Sequence, residues 1–316
     1  MLNIALVGAG RHSTKQHAPA LQHLAATEHH RVRLAAVCDL QPRKADEARD
    51  RFGFARSVYT IDALITEVRP DAVVLVMPIA LIVPVALQFI DLGVPVLIEK
   101  PMGGGLEEAR RLARAAEGAR VMVSLNRRFD PGVRLALEWA RERGPVRAVH
   151  GVMRRHRRNE ADFLWGTGVH LLDLLCHVAG PRRVDPAQVF APEGCWRAGR
   201  LIGDGPETTF EIFPTCGRNE ECLRMAGEGY CADVWTGFMG GWRVEAWADG
   251  RPGLSASAPM DQPEFFRDGV LDETRAFVDA VVNGTPLFPT PADAMPATEA
   301  ADALQRMIPQ DKGIIP

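Results

Sequence analysis

Residues 165–175 read WGTGVHLLDLL, an apolar stretch that carries one imidazole and one carboxylate. His170 and Asp173 stand three positions apart, and side chains at this spacing lie on the same face of a helix. A carboxylate beside a histidine can fix its tautomer and raise its basicity, which suits the pair to moving a substrate proton. The alternative is a hydrogen-bonded histidine of the core that Asp173 merely satisfies. The two residues alone leave both interpretations open.

A second chemical signal is the segment GAGRHS, which follows the apolar run NIALV at the N-terminus. Gly8 suits a tight turn, and Gly10 would let the backbone approach a pyrophosphate at the start of a helix. Ser13 stands where the dinucleotide fingerprint has glycine or alanine. The next apolar run ends in Asp39, whose carboxylate can accept hydrogen bonds from an adenosine ribose. This pattern predicts a dinucleotide-binding βαβ unit.

Asp39 also bears on which nicotinamide cofactor binds. Its negative charge would repel a 2′-phosphate, so we expect NAD rather than NADP. Arg43, four residues further on, would soften this preference, which keeps NADP as the alternative. An arginine there can equally be a solvated residue at the start of a helix.

Two polar segments are candidates for contact with a substrate. Lys100, in the segment EKP, follows an apolar run, and ligands of such sheets bind at the carboxyl ends of strands. The run RRHRR ends a later strand, where alternation would place Arg154, His156 and Arg158 on one face, suited to an anionic substrate. The alternatives are a structural ion pair for Lys100 and a solvated strand edge for the arginines.

The elements that must position these residues alternate between strand and helix in the first third of the chain. Their strands are continuous Val/Ile/Leu runs, which indicate a parallel sheet covered by helices on both faces. After Asn126, segments such as TTFEIFP and WRVEAWA are wetter and divided by Gly and Pro turns, which suggests an antiparallel sheet. We therefore expect an α/β protein. A doubly wound Rossmann sheet would occupy residues 1–125, and an α+β domain with an open-faced, mostly antiparallel sheet residues 126–316, with a C-terminal helix that could pack back on the first domain.

Composition sets outer limits on function. A chain of 316 residues suits two domains, and its net charge of −3 gives no general attraction to nucleic acid or anionic membranes. No apolar run reaches the ~20 residues of a membrane span. The six cysteines contain no C-x-x-C pair and no zinc-like spacing. We expect no nucleic acid, membrane or metal partner, and a cytoplasmic protein with reduced thiols.

The order and spacing of several segments resemble the Gfo/Idh/MocA oxidoreductase family, which includes glucose-fructose oxidoreductase and inositol dehydrogenase. These segments are GAGRHS, VCDLQPRKADEARDRFG, RPDAVVLVMP, EKP and NRRFD, then GTGVHLLDLL and FFRDGVLDETRAFVDAVVNG. The resemblance covers most of the chain. It implies a Rossmann domain, a C-terminal open-faced sheet, and an active site to which both contribute. It also implies a small-molecule substrate and a homodimer or homotetramer built through the C-terminal sheets.

The resemblance also assigns roles by position. Lys100 would be the catalytic lysine, with His170 and Asp173 as the family's helix-borne pair. The expected cofactor contacts are Gly8, Gly10, Arg11, His12, Ser13, Asp39, Arg43, Met77, Pro78, Glu99, Lys100, Asn126 and Arg127. The expected substrate contacts are Lys100 and His170, which the resemblance implies, and Arg154, His156, Trp165 and Thr167, which are inferred from the residues themselves.

One position departs from the family pattern. Many family dehydrogenases carry an acid four residues before the histidine, where this chain has Gly166; Thr167 or Asp162 could stand in. The predicted function is an NAD(P)-dependent oxidoreductase that interconverts a secondary alcohol and a ketone on a sugar, cyclitol or related polyhydroxy compound, including anionic ones. Three alternatives stay open: an imine or enamine reductase of a biosynthetic pathway, an enzyme that uses transient oxidation for elimination or glycoside cleavage, and a non-catalytic NAD-binding sensor.

Overall fold

The computed structural model describes residues 1–192, 194–237 and 240–308. The chain divides into two compact units. Unit 1 comprises residues 1–126 and 264–295, and unit 2 comprises residues 127–263 and the chain from residue 296 on. The division at residues 126 and 127 lies one residue from the expected boundary, and the segment 264–295 groups with unit 1. The last eight residues of the expected second domain lie outside the described residues.

Six strands form the sheet of unit 1: β1 (Leu2–Val7), β2 (Val32–Cys38), β3 (Arg56–Val58), β4 (Ala72–Leu75), β5 (Val96–Glu99) and β6 (Val121–Ser124). Their order is β3-β2-β1-β4-β5-β6, and every neighbouring pair is parallel. β4, β5 and β6 are buried throughout, as expected of Val/Ile/Leu runs covered on both faces. The predicted doubly wound Rossmann sheet is confirmed.

Helices alternate with these strands, as the sequence predicts. They are α1 (Ala18–Thr27), α2 (Pro42–Phe52), α3 (Ile61–Ala63), α4 (Ile79–Asp91) and α5 (Leu106–Ala115). Wide π-type turns precede α1 at Ser13–His17 and follow α3 at Leu64–Val68. A 3₁₀ turn, Asn126–Phe129, follows β6.

Eight strands form the sheet of unit 2: β7 (Val146–Arg154), β8 (Arg183–Phe190), β9 (Arg197–Ile202), β10 (Glu207–Phe213), β11 (Glu220–Gly227), β12 (Tyr230–Trp235), β13 (Arg243–Ala248) and β14 (Arg251–Ser257). Their order is β14-β13-β12-β11-β7-β10-β9-β8. β7 and β10 pair in parallel, and the other neighbours are antiparallel. The predicted mostly antiparallel sheet is confirmed.

Two helices of unit 2 pack on this sheet, one before β7 in the chain and one between β7 and β8. α6 (Pro131–Arg141) begins at Asp130, whose carboxylate accepts hydrogen bonds from the amides of Gly132 and Val133. α7 (Val169–Ala179) follows a π-type turn at Leu164–Gly168. A Cβ added at Gly151 on β7 would come within 2.9 Å of Leu171 and 3.1 Å of Leu175 on α7. The absence of a side chain at Gly151 therefore lets α7 lie directly on the sheet.

The remaining helices are α8 (Glu264–Arg267), α9 (Val270–Asn283) and α10 (Pro291–Arg306). α8 and α9 pack against α1 within unit 1. Throughout residues 1–192, 194–237 and 240–308, no helix is both long enough and apolar enough to traverse a bilayer.

The arginine run differs from its expected conformation. β7 ends at Arg154, and Arg157 adopts a left-handed backbone with φ of +55°. Strand alternation therefore does not continue to residue 158. The expected sorting of Arg154, His156 and Arg158 onto one strand face is wrong, because the chain turns within the run.

Candidate functional site

The turn after β1 contains two glycines, Gly8 and Gly10, and the surrounding protein excludes a side chain at only one of them. Gly8 has φ of +95°, and a Cβ there would lie 1.9 Å from the carbonyl oxygen of Val76. Packing of the backbone on β4 therefore excludes a side chain at Gly8. At Gly10, by contrast, no atom lies within 4 Å of an added Cβ, and the backbone is not left-handed. Nothing in the protein's own packing requires Gly10 to lack a side chain, so the open space there fits the close approach of a ligand.

The helical run of residues 11–27 begins immediately after Gly10. Ser13 Oγ donates to the carbonyl of Gly8 at 2.6 Å, which ties the turn to the helix. The amide of Thr14 is bonded to the carbonyl of Gly10 at 3.0 Å. The preceding amides lie in the first turn and have no helical acceptor, and they form the positive end of the helix dipole. Together with the exposed Arg11, this end suits a pyrophosphate.

Asp39 braces the glycine turn from the end of β2. Its Oδ2 accepts from the amide of Ala9 at 2.8 Å, and its Oδ1 accepts from the amide of Gln41 at 2.8 Å. The carboxylate is thus fixed beside the glycine turn, at the carboxyl ends of the parallel strands, with part of its surface exposed. This placement fits the ribose contact that the sequence predicts.

Three further expected cofactor contacts lie near the same sheet edge. Met77 is partly exposed and Pro78 is exposed, directly after β4 and before α4. Arg43 lies in the first turn of α2, where its Nε bonds to Glu47 Oε1 at 2.7 Å. The Arg43 side chain is 90% exposed, so this pair is a surface interaction that a phosphate could displace.

Glu99, the last residue of β5, is the centre of a buried polar cluster. Its Oε1 accepts hydrogen bonds from His12 Nε2 at 3.0 Å and from His17 Nε2 at 2.7 Å. Burial by itself would raise the pKa of Glu99, but the two imidazoles hold it well below its usual range. The charge of Glu99 in turn raises the pKa of His12, whose side chain is 57% exposed. His17, by contrast, is fully buried.

Lys100 adjoins this cluster. Its backbone amide donates to Glu99 Oε2 at 3.1 Å, and its positive charge acts to lower the pKa of His12. The nearby Asn126 is buried, and its Nδ2 donates to the carbonyl of Asp268 at 2.8 Å. Potential ligand atoms of His12, His17 and Glu99 lie within 4.8 Å of one another, a spacing that metal ligands can show. The hydrogen bonds to Glu99 account for that spacing.

In unit 2, Glu221 on β11 forms ion pairs with two arginines. It accepts two hydrogen bonds from Arg127, through Nε and Nη2, each at 2.9 Å. Arg155 Nη2 also bonds to Glu221, and Thr236 Oγ1 donates to it at 3.0 Å. Burial would raise the pKa of Glu221, but Arg127, Arg155 and the nearby charge of His170 hold it far below its usual range. Glu221 is therefore an ionised, buried carboxylate within electrostatic reach of His170.

The helix-borne pair has a further partner. His170 is 9% exposed and Asp173 is 1% exposed, both on α7. The Asp173 carboxylate forms a two-pronged pair with Arg128, in which Nε donates at 2.9 Å and Nη2 at 2.6 Å. A contact in which Asp173 orients His170 stays a prediction, since the two-pronged bond described for the Asp173 carboxylate is to Arg128.

The expected substrate residues of unit 2 differ in burial and in their bonding partners. Trp165 is buried in the π-type turn before α7, and Thr167 Oγ1 accepts from Arg158 Nη2 at 3.2 Å. Arg154 lies on the sheet face opposite α7 and pairs with Glu211 at 2.9 Å and Glu220 at 2.8 Å. His156 is exposed, with its Nδ1 3.2 Å from the carbonyl of Cys216. It is Arg155, rather than Arg154, that the structure brings to the same carboxylate as Arg127.

Several residues of these clusters escape sequence reasoning. They are His17, Ser124, Arg128, Arg155, Glu221 and Glu273. Arg127 and Glu221 are 94 positions apart, and His17 and Glu99 are 82 apart, so no local spacing connects them. Among these residues, His17 has a local signal, because it lies five positions after His12 in the helical run that follows the glycine turn.

Comparisons with known proteins agree with this architecture. Residues 2–127 match the family described as "Oxidoreductase family, NAD-binding Rossmann fold". An inositol 2-dehydrogenase of Rhizobium meliloti (strain 1021) is 27% identical, over 99% of this chain and 98% of the relative. An inositol 2-dehydrogenase of Paracoccus denitrificans (strain Pd 1222) is 29% identical, over 86% of this chain and 85% of the relative.

A solved structure extends the likeness of fold to both units. A levoglucosan dehydrogenase, in complex with NADH and levoglucosan, superposes with a TM-score of 0.79. It covers 96% of each chain at 17% sequence identity.

Proposed function

We propose that this chain, whose residues 2–127 match the oxidoreductase family with an NAD-binding Rossmann fold, is a dehydrogenase of a polyhydroxy substrate. The reaction would interconvert a secondary alcohol and a ketone on a sugar, a cyclitol or a related compound. The observation that carries the proposal is the glycine turn, where Gly10 leaves open space at a helix start that Asp39 braces. The substrate class is supported by two relatives named inositol 2-dehydrogenase and by the levoglucosan complex of a protein of like fold.

The cofactor would be held by the carboxyl edge of the unit 1 sheet. Backbone amides at Gly10, Arg11 and His12 would bind its pyrophosphate, and Asp39 would accept hydrogen bonds from its adenosine ribose. The remaining predicted contacts are Gly8, Ser13, Arg43, Met77, Pro78, Glu99, Lys100, Asn126 and Arg127. A bound nicotinamide supplies the hydride acceptor or donor, and the protein supplies position and proton transfer.

We propose that Lys100 and His170 transfer the proton of the substrate hydroxyl. Lys100 follows the carboxyl end of β5, and the ionised Glu99 beside it favours a positive charge there. His170 lies within electrostatic reach of the ionised Glu221, which favours an imidazole that can take up a proton. Asp173 would support His170 from the same helix. His156, Trp165 and Thr167 are the proposed substrate contacts of unit 2, whereas Arg154, on the sheet face opposite the helix of His170 and paired with Glu211 and Glu220, is not proposed as one.

The direct test is turnover of a panel of polyols by the purified protein. With NAD present, we expect inositols, hexoses or sugar acids to yield NADH, measured by its absorbance. Lys100→Met should reduce turnover by about 10²–10⁴-fold while NADH binding persists. Binding of NAD and polyol without turnover would instead indicate a sensor. Turnover of a glycoside with no net change in absorbance would indicate transient oxidation, and reduction of imines alone would indicate a biosynthetic reductase.

We propose that NAD(H) is preferred over NADP(H) because Asp39 faces the ribose. Asp39→Asn removes the charge but keeps an oxygen that can accept from one of the two bonded amides. The ratio of NADPH to NADH dissociation constants, measured by fluorescence titration, should therefore fall toward one. Asp50→Asn, the same change at an exposed site of α2 outside the predicted contacts, is the matched control and should leave this ratio unchanged. Equal affinity of the wild-type protein for both cofactors would contradict this assignment.

A further inference from the structure

The two oxygens of Glu99 are used differently. Oε1 faces three side chains, because Ser124 Oγ lies 3.1 Å from it in addition to His12 and His17. Oε2 accepts the backbone amide of Lys100. The orientation of this one carboxylate is therefore coupled to the backbone position of Lys100.

A second carboxyl group lies behind Ser124. Glu273, on α9, is fully buried, and its Oε2 lies 2.8 Å from Ser124 Oγ. Ser124 has one hydroxyl hydrogen, so it cannot donate to both carboxyl groups. Glu99, ionised and bonded by two imidazoles, is the stronger acceptor and receives this hydrogen. The oxygen of Ser124 is then left as an acceptor, and Glu273 can bond to it only as a protonated acid.

The charges around Glu273, Ser124 and Glu99 agree with a protonated Glu273. Burial raises the pKa of Glu273 well above its usual value, and the charges of Glu99 and Asp268 raise it further. The imidazoles of His12 and His17 and the backbone amide of Lys100 bond to Glu99 and not to Glu273. A second ionised carboxylate across one hydroxyl would repel Glu99 in a buried site. The hydrogen bonds therefore run from Glu273 to Ser124 and from Ser124 to Glu99.

We propose that Ser124 and a protonated Glu273 are positioning residues for Lys100, because they lock the carboxylate that holds the Lys100 backbone. The inference rests on the proposed catalytic role of Lys100. Neither residue is assigned contact with substrate or cofactor. They act by keeping Glu99 ionised and in one orientation, so that the Lys100 side chain starts from a fixed point on the strand end.

Substitutions at position 273 separate this role from simple packing. Glu273→Gln keeps the shape and a donor toward Ser124, so we expect kcat within about twofold of wild type. Glu273→Leu fills a similar volume but donates no hydrogen, and should lower kcat by about 10- to 100-fold through misplacement of Lys100. Thr274→Val is the matched control, because Thr274 is the buried neighbour on α9 and its hydroxyl bonds only within the helix, to Val270.

Ser124→Ala removes the hydroxyl that lies between Glu99 and Glu273. Loss of a donor to Glu99 raises the pKa of this carboxylate, so the acid limb of the pH profile of kcat/KM should move to higher pH. Thr274→Val should leave that limb in place. NADH dissociation constants should change by less than kcat does in the impaired variants, since the proposed pyrophosphate and ribose contacts at Gly10, Arg11 and Asp39 do not bond to Glu99. A Glu273→Gln enzyme as impaired as Glu273→Leu would overturn the proposal, as would an unmoved pH profile in Ser124→Ala.

Infrared spectroscopy provides a measurement that does not require turnover. The wild-type spectrum minus that of Glu273→Gln, at neutral pH, should contain the C=O stretch of a protonated carboxylic acid. A carboxylate band in its place shows that Glu273 is ionised and overturns the inference. If no polyol is turned over, the proposed function fails on the substrate panel, while this difference spectrum still decides the state of Glu273.

Discussion

Buried carboxylates in this protein take opposite protonation states according to their partners. Glu221 and Asp173 face arginines, whose fixed charge and paired donors favour the ionised form. Glu273 lies beside a serine hydroxyl that we assign to Glu99, and burial raises the pKa of Glu273 well above its usual value. Burial acts to raise the pKa of both Glu221 and Glu273; the arginines at Glu221 outweigh it, whereas the hydrogen bonds at Glu273 do not.

Removing one partner of the Asp173–Arg128 pair should be costly. Both side chains are nearly inaccessible, at 1% and 4% exposure, so Asp173→Asn leaves a buried guanidinium without its counter-charge. We expect the free energy of unfolding to fall by about 3–5 kcal/mol, measured by urea denaturation. Glu47→Gln is the control, because it breaks an exposed ion pair with Arg43 and should change stability by less than about 1 kcal/mol. Equal effects of both changes would contradict the structural role of Asp173.

His170 should matter for turnover more than for folding. Leu171, Leu172, Leu174 and Leu175 supply the apolar contacts of α7, so His170→Asn should leave unfolding and NADH affinity nearly unchanged. Loss of its acid–base function should lower kcat by about 10²–10⁴-fold. Steady-state kinetics with the best polyol of the panel measures this. A His170→Asn enzyme with full activity would assign the residue to the core of unit 2.

At the scale of elements, the start of the first helix is defined by a turn rather than by a capping side chain. The residue before the π-type turn, His12, makes no capping hydrogen bond from its side chain, and Ser13 bonds back to the turn instead. The start of this helix therefore has no capping side chain from His12, as the proposed pyrophosphate site requires.

The two glycines of the turn should respond differently to alanine. Gly10→Ala meets no atom, so its urea midpoint should match wild type, whereas the methyl group intrudes on the pyrophosphate position and should weaken NADH binding by tenfold or more. Gly8→Ala collides with the Val76 carbonyl and should lower stability as well as binding. Denaturation and fluorescence titration measure the two effects. Unchanged NADH affinity in Gly10→Ala would argue against a pyrophosphate at this turn.

The π-type turn before α7 also has open space beside a glycine, Gly166. A Cβ at Gly166 would have Asp162 Oδ2 as its nearest neighbour, at 4.0 Å, so the π-type turn can accommodate a side chain where many family members carry an acid. The absence of that acid is therefore not a demand of packing.

At the scale of the whole molecule, we propose that the chain forms a homodimer or homotetramer through the sheet of unit 2. The face opposite α7 carries Arg154, Glu211 and Glu220 in ion pairs, and the exposed Thr209 lies on the same face. Sedimentation should give the mass of two or four chains. Thr209→Arg should shift this toward the monomer, while Glu117→Arg, at an exposed site of unit 1, should not. A monomeric wild-type protein would contradict the proposal.

The sequence by itself determined the elements and the glycine turn of this protein. Buried apolar runs predicted the parallel strands, period-two segments predicted strands such as β10 and β13, and glycines after β1 predicted a dinucleotide-type turn. These features depend on residues a few positions apart, where sterics and periodicity act. Only the tertiary structure decided the polar partners. Ser124 meets Glu273 across 149 positions, and Arg127 meets Glu221 across 94, because strand order brings their elements together. Buried charges must find partners in space, and local spacing carries no record of which partner that is.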